Sequence, residues 1–379
     1  MVSRPLVVLQ VLPALESGGV ERGTLEVGRY LVEHGHRSLV MSAGGRLVGQ
    51  LAAEGSRHFC WPVGEKSLRT LSLVPKLRRF LVEQKVDILH VRSRLPAWVG
   101  YLAWRGMEAA TRPHLVSTFH GFYSVNSYSA VMAKAEHVIA VSDCIAGHVA
   151  KAYRPLAPVT TIHRGIDPRE YCAGFRPGDP WQSGWVAQYP HLRGKRLVTL
   201  PGRITRLKGH SDFIELIGRM KAMVPEVHGL IVGGHEPRRS GYLAELEETI
   251  RGRNLSSDIT FTGNRGDLKE IMSISALVLS LSSRPESFGR TVLEALALGV
   301  PVVAYDHGGV GEILRAMLPT GLVGLHDLPR LLEVSAGFLR QAPAIGELPG
   351  KFLLETMLSG TLDVYYNLLG EPCARRTVS

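Results

Sequence analysis

Apolar residues in this chain fall in short unbroken runs, and longer stretches with helical spacing lie between them. Residues 5–12 form an apolar strand, Gly18-Gly19-Val20-Glu21 follows, and an amphipathic helix continues through about Glu33. Residues 38–43 form a second strand, closed by Gly44-Gly45. A basic helix over 73–84 leads to a third strand at 87–91, and strands at 114–119 and 137–141 complete the first half. This alternation predicts a parallel sheet with helices on both faces. Residues from about 167 to 193 break the rhythm with Pro168, Pro177, Pro180 and Pro190 among glycines and tryptophans. They read as a connection with room for a short helix. The alternation then restarts. Strands are expected at 196–201, 227–232, 259–262, 277–281 and 301–305, helices at about 210–223, 243–253 and 291–298, and a last helix at about 352–369.

Length agrees with two such units, since 379 residues exceed the usual domain of about 100–200. With 45% hydrophobic residues the chain can bury sizeable cores, and 41 glycines against 10 phenylalanines suit many tight strand-to-helix turns. Cys60, Cys144, Cys172 and Cys373 are far apart, with no C-x-x-C pair and no Cys/His ligand spacing, which points to a reduced chain without a structural metal. The net charge of +10 is uneven: residues 1–165 hold 20 Lys+Arg against 11 Asp+Glu, and the remainder is nearly balanced. A basic half suits an anionic partner, and simple solubility is the plainer alternative. No apolar run approaches the ~20 residues needed to span a bilayer. Residues 6–15 have the length of a short signal segment, but Pro13, Glu16 and the lack of a small-x-small site favour a first strand.

Five strings sit where such a fold places ligands, at the carboxyl ends of strands. The longest is Pro285-Glu286-Ser287-Phe288-Gly289-Arg290-Thr291-Val292-Leu293-Glu294, continuing to Val303, in which a polar loop after an apolar strand opens a helix; a helix with an exposed Glu at each end is the alternative. Exposed N–H groups at a helix start suit phosphate, a loop carboxylate can accept from sugar hydroxyls, and a second carboxylate about two turns on can reach a ribose. In Gly202-Arg203-Ile204-Thr205-Arg206-Leu207-Lys208-Gly209, Arg203 and Lys208 can converge on a diphosphate; an ordinary basic loop is the alternative. Gly18 and Gly19 allow close backbone approach but make neither a full G-x-G-x-x-G nor a P-loop. His120, in Thr118-Phe119-His120-Gly121, ends a strand, where it either faces the cleft or is a structural histidine hydrogen-bonded in a loop. In His90-Val91-Arg92-Ser93-Arg94-Leu95-Pro96-Ala97-Trp98, two arginines can hold an anion and Trp98 can face a sugar, or the string is a solvated loop with a packed Trp.

Together these strings resemble glycosyltransferase family 4, retaining enzymes of the GT-B fold, over nearly the whole chain. The likeness is to bacterial transferases of lipopolysaccharide and other surface glycans. The segments from Ser17 to Thr24 and from Arg92 to Trp98 carry that subgroup. The resemblance implies an α/β fold with two Rossmann-like parallel-sheet domains facing across a cleft. Residues 1–165 would bind the acceptor, joined by a C-terminal helix at about 352–379, with a linker at 166–195 and a nucleotide-sugar domain at 196–351. Arg203 and Lys208 would hold the diphosphate of a UDP-, GDP- or ADP-linked sugar. Glu286 would bind sugar hydroxyls, with Ser287, Phe288, Gly289, Arg290 and Thr291 at the helix start and Glu294 on the ribose. Gly18 and Gly19 would lie against phosphates, and His120 near the sugar's hydroxymethyl end. Ser142 and the string Arg164-Gly165-Ile166-Asp167 match weaker positions, with Arg164 where Asn is common.

The implied reaction is transfer of a hexose or heptose to an anionic lipid-linked or lipopolysaccharide glycan, with no cofactor and no D-x-D metal motif. A peripheral location at the inner face of the cytoplasmic membrane goes with the basic first half. A sugar-nucleotide epimerase, a soluble glycan or sucrose-type synthase, and a nucleotide- or nucleic-acid-binding protein are the competing readings; no RNA-binding signature is present.

Overall fold

The computed structural model describes residues 4–16, 18–235 and 240–370. Ser17, Cys373 and the stretch 371–379 of the expected last segment lie outside the described residues. The chain divides into two compact units, Met1–Gly165 with Leu354–Ser379, and Ile166–Leu353.

Strand β1 (Val7–Val11) shows how the apolar runs become central strands, since all five of its residues are buried. Leu9 and Val11 pack with Leu39, Leu89 and Leu115 on one face, while Leu6 and Val8 pack with Ile88, Val116 and Ile139 on the other. A parallel strand covered on both faces has no polar side, so its sequence reads as one apolar run. Around it lie β2 (Arg37–Ser42), β3 (Arg57–Cys60), β4 (Ile88–Val91), β5 (His114–Phe119), β6 (His137–Ala140) and β7 (Val159–Thr161). The order is β3-β2-β1-β4-β5-β6-β7, every pairing is parallel, and the order reverses between β1 and β4.

The helix Leu354–Leu369 belongs to this first unit. It lays Met357, Leu358, Leu362 and Tyr365 on the second face of the sheet, where each buried apolar side chain contributes about 1.5–3 kcal/mol. Polar contacts fix its register. Tyr365 Oη lies 2.7 Å from His90 Nδ1, Tyr366 Oη 3.0 Å from His36 Nε2, and Tyr30 Oη donates to Glu355 at 3.0 Å.

The second unit holds β8 (Arg196–Pro201), β9 (Val227–Val232), β10 (Ile259–Gly263), β11 (Leu277–Ser280), β12 (Val302–Tyr305) and β13 (Leu322–Val323). They are parallel in the order β10-β9-β8-β11-β12-β13, reversing between β8 and β11. Residues 166–195, read from sequence as a connection, pack as part of this unit. The helix Asp179–Gln188 buries Trp185, which with Leu192 joins Leu197, Leu230, Val232 and Ile271. Trp181 stacks on Trp185 at 5.3 Å and donates its indole N–H to Asp267 at 2.7 Å. Two buried or bonded tryptophans give this segment an apolar anchor that a solvated linker lacks. No helix among the described residues is long and apolar enough to cross a membrane.

Candidate functional site

Each unit gathers polar side chains at the carboxyl ends of the strands beside its point of reversal, where open α/β sheets bind ligands. In the second unit those strands are β8 and β11. After β8 the chain turns at Gly202 (φ 140°), passes the exposed Arg203, and makes a short turn over Arg206–Lys208. Gly209 (φ 74°) then starts the helix His210–Lys221. A Cβ at Gly209 would overlap the carbonyl of Leu281, so only glycine lets the loop lie this close to the end of β11. That approach brings Lys208 Nζ to 2.7 Å from Glu286 Oε1.

Ser282 also donates to Glu286 Oε1, at 2.5 Å, and His307 Nε2 holds the Ser282 carbonyl oxygen at 2.6 Å. Burial alone would raise the Glu286 pKa. The Lys208 charge and the bonds from Lys208 and Ser282, with a smaller effect of His307, outweigh it and leave the pKa below the ordinary value. Glu286 is therefore ionised near neutral pH and accepts hydrogen bonds; it is not a proton donor. Its backbone carbonyl accepts from Gly309 N at 2.9 Å, fixing the loop. Gly289 (φ 96°) precedes the helix Arg290–Ala297, whose first N–H groups have no partners within the helix. Phe288 turns its ring into the core against Phe352, so only its backbone is available to a ligand. Arg290 Nε lies 3.0 Å from Glu294 Oε1, and Glu294 is 5% exposed. Ser287 and Thr291 are half-buried between these groups.

In the first unit the reversal lies between β1 and β4. Gly18 (φ 143°) precedes the helix Gly19–Glu33, and a Cβ at Gly19 would meet nothing. After β4, Arg92 is 2% exposed, and its Nε is buried without a hydrogen-bond partner among the described residues. Burial brings its pKa down to about 10, opposed by Tyr365 and Glu26. Next along, Arg94 stacks over Tyr123 and Tyr128 at 4.9 and 5.5 Å, and Trp98 donates to the Tyr128 carbonyl at 2.9 Å. This packing makes the start of the helix Arg94–Arg105 an aromatic cluster, and with Arg92 buried the segment is not a solvated loop. After β5, His120 Nδ1 lies 2.8 Å from Arg164 Nη2. Burial, followed by Arg164, Arg92 and His90, holds the His120 pKa well below 6.5. Ser142 caps the helix Asp143–Ala152, accepting from Ile145 N at 3.3 Å.

Known proteins share this fold. The family described as Glycosyltransferase Family 4 matches residues 17–170, and the one described as Glycosyl transferases group 1 matches residues 185–324. A solved glycosyltransferase from Rickettsia africae ESF-5 superimposes with a TM-score of 0.80 and 26% identity, over 97% of this chain and 100% of that one. The chain is a glycosyltransferase of the GT-B superfamily. The N-acetyl-alpha-D-glucosaminyl L-malate synthase of Bacillus anthracis is 24% identical over 319 residues, 80% of this chain and 79% of its own length. The lipopolysaccharide core biosynthesis mannosyltransferase LpsB of Rhizobium meliloti (strain 1021) is 26% identical over 201 residues, 52% of this chain and 56% of its own length.

Within this glycosyltransferase the structure brings Lys208 to Glu286 and Arg290 to Glu294, while Arg203 stands exposed on the same loop as Lys208. Sequence reasoning missed Ser282 and His307, which orient Glu286, and left Arg164 without a role. A serine closing an apolar strand and a histidine after the next one carry no spacing signal, because their partners are brought near only by the sheet.

Proposed function

We propose that this glycosyltransferase moves a sugar from a nucleoside diphosphate donor to a lipid-linked or lipopolysaccharide-type glycan, with retention of anomeric configuration and without a required metal ion. The observation that carries the reading is the Lys208–Glu286 pair at the reversal of the second sheet, beside a glycine-started helix. Breaking the anomeric bond leaves negative charge on the diphosphate. Lys208, Arg203 and the N–H groups over 287–291 offset that charge without rearranging. Glu286, held ionised, accepts from donor-sugar hydroxyls and so orients the sugar. Glu294, with Arg290 beside it, is assigned to the ribose. In the first unit Gly18 and Gly19 leave backbone room for phosphate, and His120 meets a substrate hydroxyl. Retention then follows from attack on the face the diphosphate leaves, with Lys208 holding the departing group. The lipopolysaccharide core relative and the basic first 165 residues support an anionic acceptor at a membrane surface.

The test is turnover with a nucleotide-sugar panel and lipopolysaccharide or lipid-linked acceptors. Release of nucleoside diphosphate should require acceptor, persist in excess chelator, and fall at least a hundredfold in Lys208→Ala, roughly the effect of removing one charge-stabilising donor. Donor breakdown to a sugar-nucleotide isomer without acceptor would select the epimerase reading instead.

A further inference from the structure

We propose that Arg164, seated in the notch left by Gly23, is a positioning residue that fixes His120 as the tautomer with its proton on Nε2. The ring then acts only as a hydrogen-bond donor, to a hydroxyl or phosphoryl oxygen of bound substrate, and not as a proton acceptor. This rests on the reading that His120 meets a substrate.

The argument starts from what each group can do. A guanidinium carries only N–H donors, and Arg164 Nη2 lies 2.8 Å from His120 Nδ1. A hydrogen on Nδ1 would set two donors against each other, so Nδ1 keeps its lone pair. The one hydrogen of the neutral ring is then on Nε2. That Nε2 is buried and has no hydrogen-bond partner among the described residues. A buried donor without an acceptor is unfavourable, and an oxygen of a bound ligand relieves it.

The charges around the ring keep it neutral. Arg164 comes from the chain after β7, and Arg92 and His90 from β4 and its end; after burial, these three oppose protonation. Tyr123 lies on the loop after β5 and bonds the His120 backbone. Glu26, on the helix Gly19–Glu33, acts on Arg92 and pairs with Arg22 at 3.3 Å. Burial and these positive neighbours keep His120 uncharged through the neutral range, and with its proton on Nε2 the ring is unsuited to act as a general base from that atom.

Gly23 makes the arrangement possible. It sits inside the helix Gly19–Glu33, where glycine weakens a helix and so calls for a packing reason. A Cβ there would overlap the Arg164 guanidinium. The guanidinium also contacts Met357 Sδ, at 3.6 Å, on the helix Leu354–Leu369. Three segments far apart in sequence thus set one hydrogen on one ring. This accounts for glycine at position 23 and arginine at position 164.

The experiment is long-range 1H–15N correlation of histidine rings in 15N-histidine-labelled full-length protein, with His120→Gln to assign the signal. The expected wild-type pattern is protonated Nε2 and unprotonated Nδ1, unchanged from pH 5.5 to 8. In Arg164→Met the Nδ1–H tautomer should become populated, and Gly23→Val should behave the same way by displacing the guanidinium. Arg164→Lys, which keeps a charged donor, should hold the tautomer, and unchanged signals from histidines away from this cluster, such as His210 and His228, verify the fold of each variant. An Nδ1–H pattern or a mid-range titration in wild type overturns the proposal, as does an Arg164→Met spectrum identical to wild type. Turnover separates this from the transferase reading. His120→Gln and Arg164→Met should lower kcat/KM about tenfold, the value of one hydrogen bond to substrate. A locked ring with full turnover in His120→Gln sinks the use assigned to it, while absent turnover in wild type sinks the transferase reading and leaves the spectroscopic result standing.

Discussion

Glu286 and Lys208 lie 78 residues apart in sequence, yet each sits in a string that the sequence singled out, and the structure brings the two together. Their legibility comes from local requirements. A loop that opens a helix over a phosphate needs small residues and a fixed cation, and those needs leave a mark in consecutive positions. Arg164 was not legible, because its significance depends on His120, 44 residues away, and on a missing Cβ at Gly23. Phe288 was legible only in part: its place in the string was right, but its ring belongs to the core. Gly289 gives a prediction at this scale. Its φ of 96° is a left-handed conformation that costs an L-residue about 1–2 kcal/mol, and a Cβ would press on Val310. Gly289→Ala should therefore lower stability by at least that amount in urea denaturation and weaken donor binding. An unchanged midpoint would mean that the loop relaxes freely.

At the scale of elements, most strands read correctly from sequence are fully buried ones, such as β1, β4 and β9, where burial leaves an apolar run; β10, an edge strand with one buried residue, was read as well. The missed strands are β3, β7 and β13. Two of these, β3 and β7, are edge strands with no fully buried residue, and β13 is an edge strand of two residues. An edge strand needs no continuous apolar run, so hydrophobic pattern alone passes over it. The last helix was legible from its periodicity, but its attachment to the first unit was expected only through family resemblance. Its register depends on His90, which is buried and bonded by both Tyr365 and Thr118 at 2.7 Å. Tyr365→Phe keeps the ring packing and leaves His90 Nδ1 without that partner. The expected loss is about 1–3 kcal/mol by denaturant titration, against no loss if the hydroxyl is dispensable.

The whole molecule combines two parallel sheets with an uneven charge and several buried neutral histidines. Burial lowers the pKa of His210 to about 4, a shift opposed by a bond from the ring to the Thr205 carbonyl and aided by Lys208; burial also lowers His228 to about 4. The unfolded chain takes up these protons near 6.5 and the native state only near 4, so stability is full above 6.5 and falls as the pH drops between those values. For His210 alone the loss from pH 7 to pH 5 should be about 2 kcal/mol. His210→Gln should flatten that part of the stability curve, whereas an equal slope in wild type and variant would contradict the assignment. The basic first 165 residues lead to a separate expectation: binding to anionic vesicles that salt reverses. Binding that survives high salt would argue against an electrostatic surface.

The central claim is that the Lys208–Glu286 pair marks a donor diphosphate site, and thermal stabilisation by UDP-, GDP- and ADP-sugars tests it most directly. The account predicts a saturable rise in Tm with one donor class, abolished in Lys208→Ala and reduced in Glu286→Gln, with both variants folded in the absence of ligand. An equal shift in wild type and Lys208→Ala would place the diphosphate elsewhere and contradict the account.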